Sequence, residues 1–230
     1  MNFSDTTVVI PAKDEEAVFE VVDSVLDALE GCKVIVLYNG YGGKALHFKS
    51  PRVKAYPAPV GKGRAVAMMH HKRLVKTPIV CFIDGDATYE PRNLRRMVAM
   101  VRDGYDMVLG NRLDNVSLES MPRWIQFGNR VITSTTNLLY GMGIGDSQTG
   151  LRAMLTDVFH SNDIEEEQFG METEMNIKVK RRGLRIGEVH ADYYPRKGET
   201  KQVKLGGVNH LLIAMRYVFH KPKGQKKPHH

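Results

Sequence analysis

The chain has 230 residues, 42% hydrophobic and 26% charged, which fits one folded domain and excludes a disordered chain. No uncharged apolar run approaches the roughly 18 residues a membrane span needs, so no segment is expected to cross a bilayer. The net charge of +7 is unevenly spread: residues 176–230 hold fourteen Lys or Arg against three acidic residues, whereas residues 1–175 hold 19 against 23. A basic quarter on an acidic body points to an anionic partner, such as a membrane face, a phosphorylated substrate or nucleic acid. The opening residues lack the basic-then-apolar pattern of a secretory leader. Cys32 and Cys81 are too few for a disulfide framework or a zinc site, so a cytoplasmic setting is expected.

In chain order, residues 6–10 are β-branched and apolar and predict a strand. Ala17, Val18, Val21, Val22, Val25, Leu26 and Leu29 then follow at helical spacing, with Asp14 as the expected cap and Gly31 as the stop. Strands are predicted at 33–37, 53–56, 79–83 and 106–109, and helices at 63–74, 91–101, 171–182 and 208–219, the last with Val208, Leu211, Leu212, Met215, Val218 and Phe219 along one apolar stripe ahead of Lys221, Lys223, Lys226 and Lys227. Such alternation predicts an α/β fold, a mostly parallel central sheet with helices on both faces. One domain is expected over residues 1–220, followed by a basic flexible tail at 221–230.

Ligands of such sheets bind beyond the carboxyl ends of the strands, and four of those ends are chemically loaded. They read Pro11-Ala-Lys-Asp-Glu15, Asn39-Gly40, Asp84-Gly-Asp86 and Gly110-Asn-Arg112. Neither a dinucleotide G-x-G-x-x-G after the first strand nor a G-x-x-x-x-G-K-[ST] phosphate loop is present. The sharpest signal is Asp84-Gly85-Asp86 at the end of an apolar strand, where two carboxylates turn into one small volume and repel unless a cation sits between them. Mg2+ or Mn2+, completed by the two phosphates of a nucleotide, suits such hard oxygen donors. The other reading is an Asp-Gly turn with Asp86 capping the next helix.

Six segments in order resemble the family 2 glycosyltransferases of the GT-A fold, in particular the polyprenyl (dolichyl) phosphate sugar synthases. Val8-Val-Ile-Pro-Ala-Lys-Asp-Glu15 is similar to the opening V-V-I-P-A-x-N-E, Gly61-Lys-Gly-Arg-Ala65 to G-K-G-x-A, and Phe82-Ile-Asp-Gly-Asp86 to the D-x-D stretch. Gly110-Asn-Arg112 matches G-x-R, and Asp146-Ser-Gln-Thr-Gly-Leu-Arg152 resembles D-x-x-x-G-[FL]-R. Residues 183–201 follow R-G-x-x-I-x-E-V…Y-x-x-R…G-x-[ST]-K. Two positions depart from the pattern. Where the family carries D-D-G-S this chain has Tyr38-Asn-Gly-Tyr41, leaving base contact to the Asn39 amide or to stacking on Tyr38, and Thr88 stands where many mannosyl members carry Gln.

The resemblance implies a metal-dependent, inverting transfer of a hexosyl group from a UDP- or GDP-linked donor to a polyprenyl phosphate. The enzyme is expected to be cytoplasmic, peripheral on the membrane's cytoplasmic face, with an anionic membrane surface as a partner. Asp84 and Asp86 are the implied metal ligands. Pro11, Ala12, Asp14, Glu15, Asn39, Lys62, Asp84, Gly85 and Asp86 are implied to hold the donor, and Arg123, Arg152, Arg196 and Lys201 the acceptor. Asp146, Arg112 and Asp84 are the implied catalytic group, with Asp146 as the foremost acidic candidate and Glu172 and Glu174 read as alternatives that solvent would equally suit. A lipid phosphate is already an anionic nucleophile, so binding arginines matter more than a strong base. The same fold acting on a soluble phosphorylated or hydroxyl acceptor is the alternative. A nucleic-acid-binding domain leaves Asp84, Asp86 and Asp146 without a role, and no nucleic-acid partner is expected.

Overall fold

A computed structural model describes residues 1–59, 63–166, 170–197 and 206–219, with the backbone alone at 206–209 and 219. Among the described residues, seven strands form one sheet: β1 (Thr6–Lys13), β2 (Lys33–Asn39), β3 (Val53–Pro57), β4 (Ile79–Phe82), β5 (Met107–Asn111), β6 (Arg152–Leu155) and β7 (Ile186–His190). Their spatial order is β3-β2-β1-β4-β6-β5-β7, and all pairings are parallel except those of β6, which runs against both β4 and β5. The helices are α1 (Val18–Ala28), α2 (Arg64–His71), α3 (Asn93–Arg102), α4 (Arg123–Tyr140), α5 (Thr156–His160), α6 (Met171–Arg181) and α7 (Gly206–Phe219).

Side chains alternate across each strand, so the two faces of the sheet seed two separate cores. Val8 and Ile10 of β1 face Val18, Val22 and Val25 of α1 and Leu94, Met97 and Val98 of α3. Val9 faces the opposite core, with Met68 of α2, Phe159 of α5, Met175 of α6 and Ile213 of α7. Helices therefore cover both faces, as the alternating pattern predicts. Every predicted strand and helix is present within a few residues of its expected bounds, α7 included, while α4, α5, β6 and β7 are additional elements.

Asp14 does not cap α1. It lies at φ 50, three residues before the helix cap at Ala17, and its Oδ1 accepts the backbone N–H of Tyr41 at 2.5 Å. The loop bends the carboxylate across to the end of β2, and Gly40 makes that approach possible. A Cβ there would sit 2.0 Å from Asp14 Oδ1, at a φ of +88 that side chains rarely adopt.

Between β1 and β4 the sheet changes direction of growth, which is where ligands of open α/β sheets bind. β4 pairs with β1 only as far as Val9↔Phe82, whereas β2 follows β1 to Lys13↔Asn39. Pro11 lies beyond the last β1–β4 pair, where a missing N–H costs no ladder bond. The two strands separate there and leave a notch, and the Asp84–Asp86 turn enters it.

Candidate active site

Gly85 is the hinge of the notch. A Cβ on it would lie 3.2 Å from the Ala12 Cβ and 3.3 Å from the Pro11 carbonyl oxygen, so Pro11 and Ala12 act here as a wall for the turn. Asp86 does not cap α3, which begins seven residues later. Its Oδ1 accepts from Thr88 N (3.3 Å) and Thr88 Oγ1 (2.7 Å), a side-chain turn that fixes the carboxylate. Burial, reinforced by the charge of Asp84, raises the Asp86 pKa.

Asp84 is held from the other side by Arg64, whose Nη1 donates to Oδ1 at 2.5 Å. The same guanidinium pairs through Nη2 with Glu172 of α6. Glu172 is thus a buried partner rather than a solvated charge, and Glu174 is wholly buried, accepting from Glu165 N, Glu166 N and Tyr217 Oη. α6 is covered on all sides, with nine of its eleven residues buried, which is why its alternating polar sequence misleads. Arg64 was visible only as the variable residue of Gly61-Lys-Gly-Arg-Ala65.

The second half of the site comes from β5, β7 and the loop before β6. Arg112 grips Asp146 in a two-pronged pair, Nε to Oδ2 at 2.6 Å and Nη2 to Oδ1 at 3.1 Å. Asp146 is fully buried, and its oxygens also accept from Arg112 N (3.3 Å) and Gln148 N (3.0 Å). Glu188 of β7 clamps the loop by accepting from Gly145 N, Asp146 N and the Asn111 amide, and burial raises its pKa. The Arg112 guanidinium carbon stands 5.3 Å over the Tyr193 ring, and its Nη1 has no hydrogen-bond partner among the described residues.

Of the predicted acceptor residues, Arg152 is 2% exposed and points inward. It donates to Thr149 O (3.0 Å), Ser147 O (3.2 Å) and Asn176 Oδ1 (2.7 Å), so it braces the 146–150 loop from below. Burial and the neighbouring Arg64 guanidinium push its pKa down. Arg196, expected at the acceptor, instead lies against two residues expected at the donor, paired through Nη2 with Glu15 and with Nε 3.6 Å from Asp86 Oδ2. Glu15 is anchored in turn by Tyr41, whose hydroxyl accepts from Glu15 N and donates to Glu15 O, each at 3.0 Å. Asn39 donates to Pro59 O at 3.4 Å. Arg123 is exposed at the first turn of α4 and makes no polar contact among the described residues. Lys62 and Lys201 lie outside the described residues.

A polar chain links α7 to this centre: His210 Nδ1 meets Thr173 Oγ1 at 3.0 Å, and Gln148 Nε2 donates to the same hydroxyl at 2.9 Å. Burial, then the Arg64 charge, push the His210 pKa from 6.5 to about 4. The fold therefore keeps this ring neutral while the unfolded chain protonates it near 6.5, so stability held above that value is lost as pH falls towards 4. Lowering the pH from 7 to 5 is expected to remove on the order of 1–2 kcal/mol through this residue. His210→Gln should flatten that part of the pH dependence in urea titrations. The same slope in both proteins would exclude the assignment.

Residues 7–161 match the family described as Glycosyl transferase family 2. The chain belongs to that family. Its dolichyl-phosphate hexose transferase relative from Haloferax volcanii is 30% identical over 201 residues, 86% of this chain and 87% of the relative. Glycosyltransferase AglJ of the same organism is 34% identical over 138 residues, 59% of this chain and 45% of AglJ, so the match spans just under half the length of that relative. Among solved structures, glucosyl-3-phosphoglycerate synthase from Mycobacterium tuberculosis, crystallised with Mn2+, UDP and phosphoglyceric acid, superposes with a TM-score of 0.67 at 16% identity. That likeness covers 95% of this chain and 80% of the synthase and gives the fold, the GT-A arrangement of family 2.

Proposed function

We propose that the chain transfers a hexosyl group from a nucleotide-sugar to a polyprenyl phosphate, with inversion at the sugar C1. The observation that carries this reading is the fully engaged Asp146 carboxylate. A hydroxyl acceptor needs a base to take its proton, and an acid with both oxygens held by four donors is a poor one. The other site carboxylates are committed too: Glu15 to Arg196, Glu172 to Arg64, and Glu188 to backbone N–H groups. A phosphate acceptor arrives already ionised and needs none of them. The Haloferax relative, named for a dolichyl-phosphate acceptor and matched over nearly its whole length, supports the same choice.

Asp84 and Asp86 fit a divalent cation. They are hard oxygen donors, burial and then the Asp84 charge raise the Asp86 pKa so that a cation there would be welcome, and no third His, Cys, Asp or Glu completes a closed cage among the described residues. The open positions suit a diphosphate. Bound there, Mg2+ or Mn2+ would neutralise charge on the departing nucleoside diphosphate. Pro11, Ala12 and Gly85 shape the notch, and Asp14, Glu15 and Asn39 lie on the nucleoside side of it. The acceptor oxygen attacks C1 from the face opposite the diphosphate, the C1–O bond to the diphosphate breaks, and no proton moves. Arg112 lends its Nη1 to the growing negative charge, and Asp146 and Glu188 are positioning residues that aim it. Arg196 and Arg123 are the described side chains available to an anionic acceptor; displacement from Glu15 frees the first.

Incubation with Mg2+ or Mn2+ and a panel of UDP- and GDP-sugars tests the reading, with short-chain polyprenyl phosphate, with 3-phosphoglycerate, or with neither. Nucleoside diphosphate release and a glycolipid only in the polyprenyl arm are expected. Release in the 3-phosphoglycerate arm alone overturns the lipid acceptor in favour of a soluble phosphorylated one.

A further inference from the structure

α4 is amphipathic in the wrong sense for a helix on a soluble domain. Its inward side carries Ile132 beside three polar residues, Gln126, Thr133 and Thr136, each 8% exposed or less, while its outward side carries Trp124, Phe127, Val131 and Leu138, exposed by 65%, 70%, 37% and 86%. The outward positions fall at i, i+3, i+7 and i+14, on one face about 21 Å long that Ser134 and Thr135 interrupt for a turn. The polar side is bound to the loop before β6: Thr133 Oγ1 and Ser147 Oγ lie 3.0 Å apart, and Asn137 exchanges hydrogen bonds with Ile144 N and O. α7 packs beside α4, joined by the Tyr140 hydroxyl donating to Ala214 O at 2.6 Å. Of the apolar stripe that the sequence predicts on α7, Leu212, Met215 and Val218 face solvent, while Ile213, Ala214 and Tyr217 form the packed side.

We infer that the outward faces of α4 and α7 together lie in the headgroup region of an anionic bilayer leaflet. This deepens the polyprenyl-phosphate reading and rests on it for its purpose. Soluble monomers rarely leave so long an apolar stripe uncovered, and among the described residues no helix is long and apolar enough to span a membrane, so a helix lying in the interface is the fitting geometry. Charge selects the occupant. Exposed Arg123 borders the stripe beside Trp124, and by sequence Lys221, Lys223, Lys226 and Lys227 follow directly on α7. An anionic surface complements that rim, whereas a second copy of the chain would bring an equally basic one against it. Trp and Phe at one end of the stripe suit an environment apolar on one side and wet on the other.

Trp124 is the sole tryptophan and reports on its own burial. Vesicles of phosphatidylcholine with about one third phosphatidylglycerol, containing no polyprenyl lipid, should shift its emission to shorter wavelength at low salt and pellet the protein, with both signals falling as salt rises. Pure phosphatidylcholine should do so weakly. Phe127→Ser combined with Leu138→Ser should reduce vesicle partition at least about tenfold, with an unchanged urea midpoint because both side chains face solvent. Unaltered emission and no pelleting with anionic vesicles overturns the inference. So does a concentration-dependent doubling of mass that shifts the emission without vesicles, which makes the face a contact between copies. Failure of the glycosyl-transfer assay leaves the vesicle result standing, so the two readings fall separately.

Discussion

Arg112→Lys lowers kcat about 10²–10³-fold while leaving the KM for the nucleotide-sugar within about threefold. The expectation follows from how the guanidinium is held. Two of its nitrogens are fixed on Asp146 and only Nη1 remains for the reaction, so its charge is aimed before substrate arrives. A lysine ammonium cannot bridge both Asp146 oxygens and still present a donor in that direction. Asp146→Asn should lose activity by a comparable factor, and the double variant should lose little more than either single one, because the pair acts as a unit. The pH–rate profile separates this from base catalysis: a base replaced by Asn takes an acidic limb with it, whereas a positioning residue lowers the whole curve. Urea unfolding of Asp146→Asn must accompany the kinetics, since breaking a buried ion pair costs about 3–5 kcal/mol. A lost acidic limb in Asp146→Asn would return the carboxylate to the role of proton acceptor.

Asp86→Asn is expected to act in opposite directions on binding and on folding. With Mn2+ present, affinity for a nucleoside diphosphate should drop by about 100-fold or more, since one of two carboxylate ligands is gone. Without metal the variant should be more stable than the parent at pH 7. Burial and Asp84 raise the Asp86 pKa, so keeping the group ionised at neutral pH opposes folding, and that opposition sets in as pH rises above the unfolded value. Calorimetric titration and metal-free urea curves read the two effects independently. Unchanged Mn2+-dependent affinity would remove Asp86 from the metal site, and a lower metal-free stability would show that its bonds to Thr88 outweigh the charge repulsion.

The strands and helices that repeat a plain period were legible, because β1, β2, β4 and α1 each put apolar residues on the faces they bury. β6 was not. It is four residues long and opens on Arg152, a charge the core tolerates only because three acceptors from the neighbouring loop and α6 meet it, and no period reveals that. α4 was hidden for a related reason: three of its four buried residues are polar and its large apolar side chains Trp124, Phe127 and Leu138 are exposed, against the rule by which helices are read. Asp84, Asp86 and Arg112 were expected at one edge of the sheet because they follow parallel strands, whereas Asp146 reaches that edge ahead of antiparallel β6 and was named only through the family resemblance. Which of them face one another was not legible. The Arg112–Asp146 pair spans 34 residues, and the Arg64–Glu172 pair spans 108 and joins α2 to α6, so only the packed fold brings each together.

The reversed direction of β6 has a consequence for how this architecture can vary. In a parallel strand the residues that reach the ligand edge come after the strand and can end in a free-swinging connection. Because β6 runs backwards, it brings the segment that precedes it to that edge, and the chain there is tethered at one end by α4 and at the other by the strand itself. Residues 146–150 thus behave as a taut span between two fixed posts, with Glu188 and Arg152 as stays. Length changes that the exposed crossing between β2 and β3 can absorb have no slack to enter here. A one-residue insertion within 146–150 is therefore expected to disturb the Arg112–Asp146 pair, whereas one within 44–52 is expected to leave it in place.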